Sequence, residues 1–152
     1  MTAKVEIRES KFSDINTLVA SIREKDALEA TRMGFTPRKA LINCFKGAVI
    51  RKTILVNGNI AAMVGVVGQI TSDTGYPYLV TGVHSEQISP LQFVRIYKQH
   101  IEEWSKIFPK MTGLVDFEYH EAVRLLKMAG FTIQSPIYLA PYEHLFSRFN
   151  YG

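Results

Sequence analysis

From Lys4 to Arg8 the chain alternates apolar Val5 and Ile7 with charged residues, the two-residue period of a half-buried strand. Ser13 then stands as the cap of a helix marked on one face by Ile15, Leu18, Val19 and Ile22. A second helix is predicted over about Asp26 to Met33, closing at Gly34. A third starts with Thr36 as cap and Pro37 at the first helical position and buries Leu41, Ile42 and Phe45. From Ala48 the texture turns β-branched: AVIRKTILV and NIAAMVGVVGQ flank Asn57-Gly58, a pair suited to the two positive φ angles of a tight hairpin. After the loop TSDTG, Tyr76 to Thr81 makes the next strand of an antiparallel meander, with Pro77 near its start, where a missing N–H does least harm.

Ser89, Pro90 and Gln92 are the cap, first residue and capping-box partner of the longest helix. Its stripe of Val94, Tyr97, Ile101, Trp104 and Phe108 alternates spacings of three and four, opposite Arg95, Lys98, Glu102, Glu103 and Lys106, and Pro109 ends it. The stretch LVDFEYHEAVRLLKMAGF follows. Leu114, Val115 and Phe117 supply a buried strand, Ala122, Leu125, Leu126 and Ala129 recur at helical spacing, and Gly130 can take the left-handed backbone that stops a helix. A final strand pair is predicted at Thr132 to Tyr138 and about His144 to Phe149, with a turn around Ala140 and Pro141.

A helix between the strands at Tyr76–Thr81 and Leu114–Glu118 is a crossover, and a crossover joins parallel strands. The expected class is therefore α/β (α+β), with a mixed, mostly antiparallel sheet of six or seven strands flanked by helices. All 152 residues are expected to form one domain.

Composition narrows the setting. The longest apolar run, Ile60 to Val67, is too short to span a bilayer, and the opening MTAKVEIRES has no apolar signal-peptide core. These features point to no membrane partner and to an intracellular or virion-bound location. The single cysteine, Cys44, excludes an internal disulfide, and its neighbours Leu41, Ile42 and Phe45 suit it to core packing. A net charge of +4 favours acidic partners, yet there is no long basic run and no nucleic-acid motif.

The order of elements resembles the GCN5-related N-acetyltransferase (GNAT) fold over nearly the whole chain. That family's closing motif, Asn-x-x-Ala-x-x-x-Tyr-x-x-x-Gly-Phe, is matched at the packing positions Ala122, Gly130 and Phe131. Its polar positions differ: Tyr119 stands where asparagine is usual, and Leu126 where many members carry the tyrosine that protonates the departing thiolate. Tyr78 to Phe149 is similar, more narrowly, to the acetyltransferase-like proteins of tailed bacteriophages, the group that includes internal virion protein A of T7-like phages. The shared text is YLVTG, the long helix with its Phe-Pro end, VDFEYHEAVRLLKMAGF and a terminal Phe-x-x-Phe. This resemblance implies a role in virion assembly, genome ejection or host interaction, with a phage virion or host protein as partner.

The GNAT resemblance also implies acetyl-CoA as cofactor, with its pyrophosphate at the N-terminus of the long helix and its thioester carbonyl at a strand N–H near Thr81, Gly82 and Val83. The family's phosphate loop, Gln/Arg-x-x-Gly-x-Gly/Ala, superposes on Gln87-Ile88-Ser89-Pro90-Leu91-Gln92, which keeps only its first residue. Pro90 removes a donor and Gln92 adds bulk where a backbone should approach a phosphate. Ser85, Gln87 and Ser89 could donate from their side chains instead. His84 and Glu86, beside the strand end, are candidates for the base that takes the amine proton, or members of a solvated loop. Tyr119, with His120, is a candidate at the end of the neighbouring strand, or helix-start packing; Asp116 and Glu118 read as surface or pairing carboxylates. His84, His100, His120 and His144 lack the close spacing of a metal site. Two functions stand: a phage protein on a GNAT scaffold with a degraded acetyl-CoA site, and an active N-acetyltransferase moving acetyl to an amine of a protein or small molecule.

Overall fold

A computed structural model describes residues 3–152; Met1 and Thr2, on which the expected opening stretch and the expected single-domain span begin, lie outside the described residues. The elements are β1 (Val5–Glu9), α1 (Asp14–Ala20), α2 (Glu24–Arg32), α3 (Pro37–Gly47), β2 (Ala48–Val56), β3 (Asn59–Gly68), β4 (Thr74–Thr81), α4 (Pro90–Trp104), β5 (Lys110–Asp116), α5 (His120–Met128), β6 (Thr132–Ile133), β7 (Ile137–Leu139) and β8 (His144–Tyr151). Short 3₁₀ turns occupy Val83–Gln87 and Ala140–Tyr142. Among the described residues the mixed, mostly antiparallel sheet has eight strands. None of the described helices is long and apolar enough to cross a membrane. The chain gathers into two compact units, one holding the residues up to Val67 with Pro77–Ser89, the other Gly68–Tyr76 with Pro90–Gly152.

In the first unit the strand order is β1-β2-β3-β4. Asn57 and Gly58 take φ of 50° and 83°, so the hairpin joining antiparallel β2 and β3 turns in two residues, as the sequence predicts. Thr36 caps α3 by accepting the Lys39 N–H at 3.2 Å, with Pro37 behind it. Ser13 does not cap α1: its own backbone is helical and its side chain makes no capping bond. Asp14 closes that corner instead, taking the Lys11 N–H on its carboxylate at 2.8 Å. Ile15, Leu18, Leu41, Ile60 and Met63 form the buried core of this unit. Burial of side chains this size stabilises by about 1.5–3 kcal/mol each.

In the second unit β4 begins beside β5 in parallel register, Thr74 opposite Lys110, and α4 is the crossover between them. Tyr97, Ile101, Trp104 and Phe108 are buried on the expected stripe. The helix stops at Trp104 rather than at Pro109: the Lys106 and Ile107 N–H groups bond three residues back, to the Glu103 and Trp104 carbonyls at 3.2 and 3.0 Å, so the chain tightens into a turn before Phe108, whose ring is buried. β5 therefore starts at Lys110, four residues earlier than the apolar run suggests. Phe117 lies beyond its end and is 39% exposed, whereas Asp116, read from sequence as a surface or pairing carboxylate, is buried. α5 buries Leu126 and Ala129 and ends at Gly130, φ 106°. The strand predicted over Thr132–Tyr138 is broken around Pro136 into β6 and β7, both antiparallel to β8, which raises the strand count to eight.

Candidate functional site

The end of β4, in the first unit, is organised by close backbone approach. A Cβ on Gly82 would sit 2.9 Å from Leu18 Cδ1 and 3.2 Å from the Ser21 carbonyl oxygen, so only glycine lets the strand end meet the end of α1. That approach uses up the local donors. Thr81 gives its N–H and hydroxyl to the buried Asp26 carboxylate at 3.3 and 2.6 Å. The Gly82 N–H goes to the Ala61 carbonyl and the Val83 N–H to the Ser21 carbonyl, both at 2.8 Å. In the turn that follows, Ser85 and Ile88 donate to Gly82 and Ser85 at 3.0 Å each. A thioester carbonyl is polarised by donors aimed at the place where its oxygen will stand. The N–H groups of Thr81, Gly82 and Val83 are all committed within the chain.

His84 is half-buried, and its Nδ1 accepts from Gln87 Nε2 at 3.1 Å. The neutral ring then carries its proton on Nε2. Gln87 Oε1 in turn accepts from Asn57 Nδ2 at 3.3 Å, which ties the β2–β3 hairpin tip to the turn. His84 lines a cavity of about 320 Å³ with Arg8, Ser21, Asn59 and Ile60. Glu86 and Ser89 are exposed.

Arg8 is itself engaged. Its guanidinium grips Asp14 with bonds of 2.8 and 3.0 Å, while Thr53 Oγ1 donates to the same carboxylate at 2.8 Å. Burial would push the Asp14 carboxyl up, but the bonds from Arg8, Lys11 and Thr53 together with the Arg8 charge hold it below the ordinary carboxylate range.

The end of β5, in the second unit, carries the other constellation. Asp116 Oδ1 accepts the Glu118 N–H at 2.9 Å and lies 2.6 Å from His144 Nε2. The Tyr119 N–H bonds the Asp116 carbonyl at 3.0 Å, and this tight turn launches α5 at His120. Tyr119 is buried, whereas Glu118 and His120 are exposed. His144 is delivered from β8 by the left-handed residue Glu143, φ 51°, and stands edge-on to Phe146, with ring centroids 5.4 Å apart. A carboxylate that fixes one imidazole nitrogen orients the ring and sets which nitrogen faces it.

Sequence reasoning passed over this pair. Its members are 28 residues apart, and only the β5–β8 register, with Asp116 opposite Phe146, brings them together. The available signal was an aspartate inside an apolar run, where an unpartnered carboxylate is costly. Among the described residues, no group of three or more His, Cys, Asp or Glu side chains is placed to hold a metal ion.

No protein-family description matches the chain by sequence, and no curated protein does. Solved structures do match it. A spermidine N-acetyltransferase from Vibrio cholerae superposes with a TM-score of 0.66 at 10% identity, covering 96% of this chain and 92% of the other. A ribosomal-protein-alanine N-acetyltransferase from Escherichia coli gives 0.65 at 14% identity over 97% and 93%. A Bacillus subtilis acetyltransferase in complex with CoA gives 0.62 at 12% identity over 99% and 98%. The chain has the GNAT fold.

Within the GNAT frame, Leu126 is buried at the position where the family resemblance placed a thiolate-protonating tyrosine. Pro90, which has no N–H, is the first residue of α4.

Proposed function

We propose that this chain is a single GNAT domain of phage type, acting in virion assembly, genome ejection or host interaction through protein contacts, with its acetyl-CoA site lost. The observation that carries this reading is the commitment of the Thr81, Gly82 and Val83 N–H groups to Asp26, Ala61 and Ser21. Removing one preorganised donor from such a site costs roughly a hundredfold or more in rate. The sequence resemblance over Tyr78–Phe149 supports the phage reading, which would have the protein act in host cytoplasm or virion.

Calorimetric and thermal-melt titration with acetyl-CoA tests it. The expected result is no heat and no rise in Tm at millimolar ligand. A ligand binding at micromolar Kd would stabilise the fold by about 2.7 kcal/mol at a hundredfold excess, and that outcome would sink the reading. The second arm is fractionation of phage-infected cells. Absence from both virions and assembly intermediates would count against the structural role.

The second reading, an N-acetyltransferase acting on an amine of a protein or small molecule, is favoured by the Asp116–His144 pair, which suits proton transfer. Two GNAT-fold structures similar to this chain are those of a spermidine N-acetyltransferase and a ribosomal-protein-alanine N-acetyltransferase. If acetyl-CoA binds, Pro90→Gly should tighten it by restoring an N–H at the start of α4.

A further inference from the structure

In the second unit the strand registers set Thr74 beside Lys110, Thr112 opposite Asn150 and Leu114 opposite Arg148. Side chains two apart on a strand share a face. Lys110, Thr112 and Leu114 of β5 and Arg148 and Asn150 of β8 therefore occupy one sheet face, and all but Leu114 line a cavity of about 270 Å³ with Thr74. Thr112 Oγ1 donates to Asn150 Oδ1 at 2.9 Å, which engages the carboxamide oxygen and leaves the NH₂ of this lining residue as its donor end. Arg148 is exposed, and among the described residues its guanidinium has no carboxylate partner. Among the described residues the Lys110 ammonium pairs only with Asp73, at 3.6 Å, both largely exposed, a pair of the kind that contributes little. The face thus presents an ammonium, a guanidinium and an amide donor around a hollow with room for a phosphate group and part of the molecule that carries it.

From this juxtaposition we infer that the Lys110–Arg148–Asn150 hollow binds a phosphate group of a small phosphorylated molecule. A guanidinium fork matches the oxygens of a phosphate bidentately, and such charge-assisted bonds are roughly twice as strong as neutral ones. The inference is independent of acetyl transfer. None of these residues belongs to the β4 end or to the Asp116–His144 pair.

The test uses the full chain and inorganic pyrophosphate as probe, at low ionic strength, followed by amide and side-chain NMR shifts. Saturable shifts are expected at Thr112, at the Arg148 side-chain N–H and at the Asn150 NH₂, with millimolar Kd. Arg148→Ala and Asn150→Asp should each weaken binding about tenfold, the second because it swaps two donors for a carboxylate without changing shape. Arg148→Lys, which keeps the charge but loses the fork, should cost less. Unchanged affinity in Asn150→Asp, or equal shifts with chloride at the same ionic strength, would overturn the inference. An oligonucleotide arm separates the sources. Binding about a hundredfold tighter than pyrophosphate and falling steeply with salt would transfer the site to a nucleic-acid backbone and overturn the small-molecule assignment.

Discussion

His144 Nε2 lies 2.6 Å from Asp116 Oδ1, and the two side chains are 15% and 3% exposed. A contact this short and this dry couples the end of β5 to the start of β8. Hydrogen bonds to charged groups contribute about 1.5–3 kcal/mol, and removing one partner takes this bond from a largely buried side chain. His144→Gln and Asp116→Asn should each destabilise the fold by about that amount. A double-mutant cycle by urea unfolding should return a coupling of about 1–2 kcal/mol. A coupling indistinguishable from zero would mean that the two side chains merely lie near one another.

Asp14 is the site where acid should act on the first unit. Its carboxyl titrates below the usual value of 3.8 because Arg8, Lys11 and Thr53 outweigh the opposing effect of burial. A depressed folded value gives stability that is present above the unfolded value and is lost as pH falls through the folded one. Asp14→Asn should therefore cost about 2–3 kcal/mol near neutral pH, and the gap between variant and parent should close below about pH 4. Urea unfolding across that range checks the sign. A gap that stays constant with pH would show that the carboxylate charge is not what stabilises this corner.

The parts of this fold that were legible in sequence are those governed by short-range chemistry. Asn57-Gly58 had to be a turn because of its φ demands, Thr36-Pro37 a helix start because of its missing and capped N–H groups, and α4 a buried stripe because of its period. The crossover rule then made β4 and β5 parallel. What could not be read depends on partners distant in sequence. Asp116 looked like an ordinary strand carboxylate until register placed His144 against it, and Ser13 looked like a cap until Asp14 took the turn. His84 was readable as a candidate by position. Its orientation was not, because that depends on Gln87 and, through it, on Asn57 at the far hairpin.

Cys44 is half-buried and should react slowly. Burial pushes its thiol up to about 11. Near pH 8 roughly one thiol in a thousand is then ionised, against about a quarter of a free cysteine, and only the thiolate reacts. Modification by a disulfide reagent should run at least about a hundredfold slower than for free cysteine and accelerate when urea unfolds the chain. Reaction of the native protein at the free-thiol rate would contradict the burial.

Tyr78 and Gly65 provide a test in which two substitutions at one contact should act in opposite directions. The Tyr78 hydroxyl is buried without a hydrogen-bond partner among the described residues, and a Cβ on Gly65 would come within 2.7 Å of it. Deleting an unsatisfied buried hydroxyl removes a desolvation penalty, so Tyr78→Phe should be neutral or stabilise by up to about 1 kcal/mol. Gly65→Ala should destabilise by about 3 kcal/mol, since overpacking of a tight site forces the backbone to shift. Combining the two should not rescue the fold, because the same Cβ would also lie 2.0 Å from the Ile50 carbonyl oxygen, which the tyrosine change leaves in place. Thermal melts of the three variants decide it. Full recovery in the double variant would mean that the hydroxyl, and not the β2 backbone, is what demands glycine at position 65.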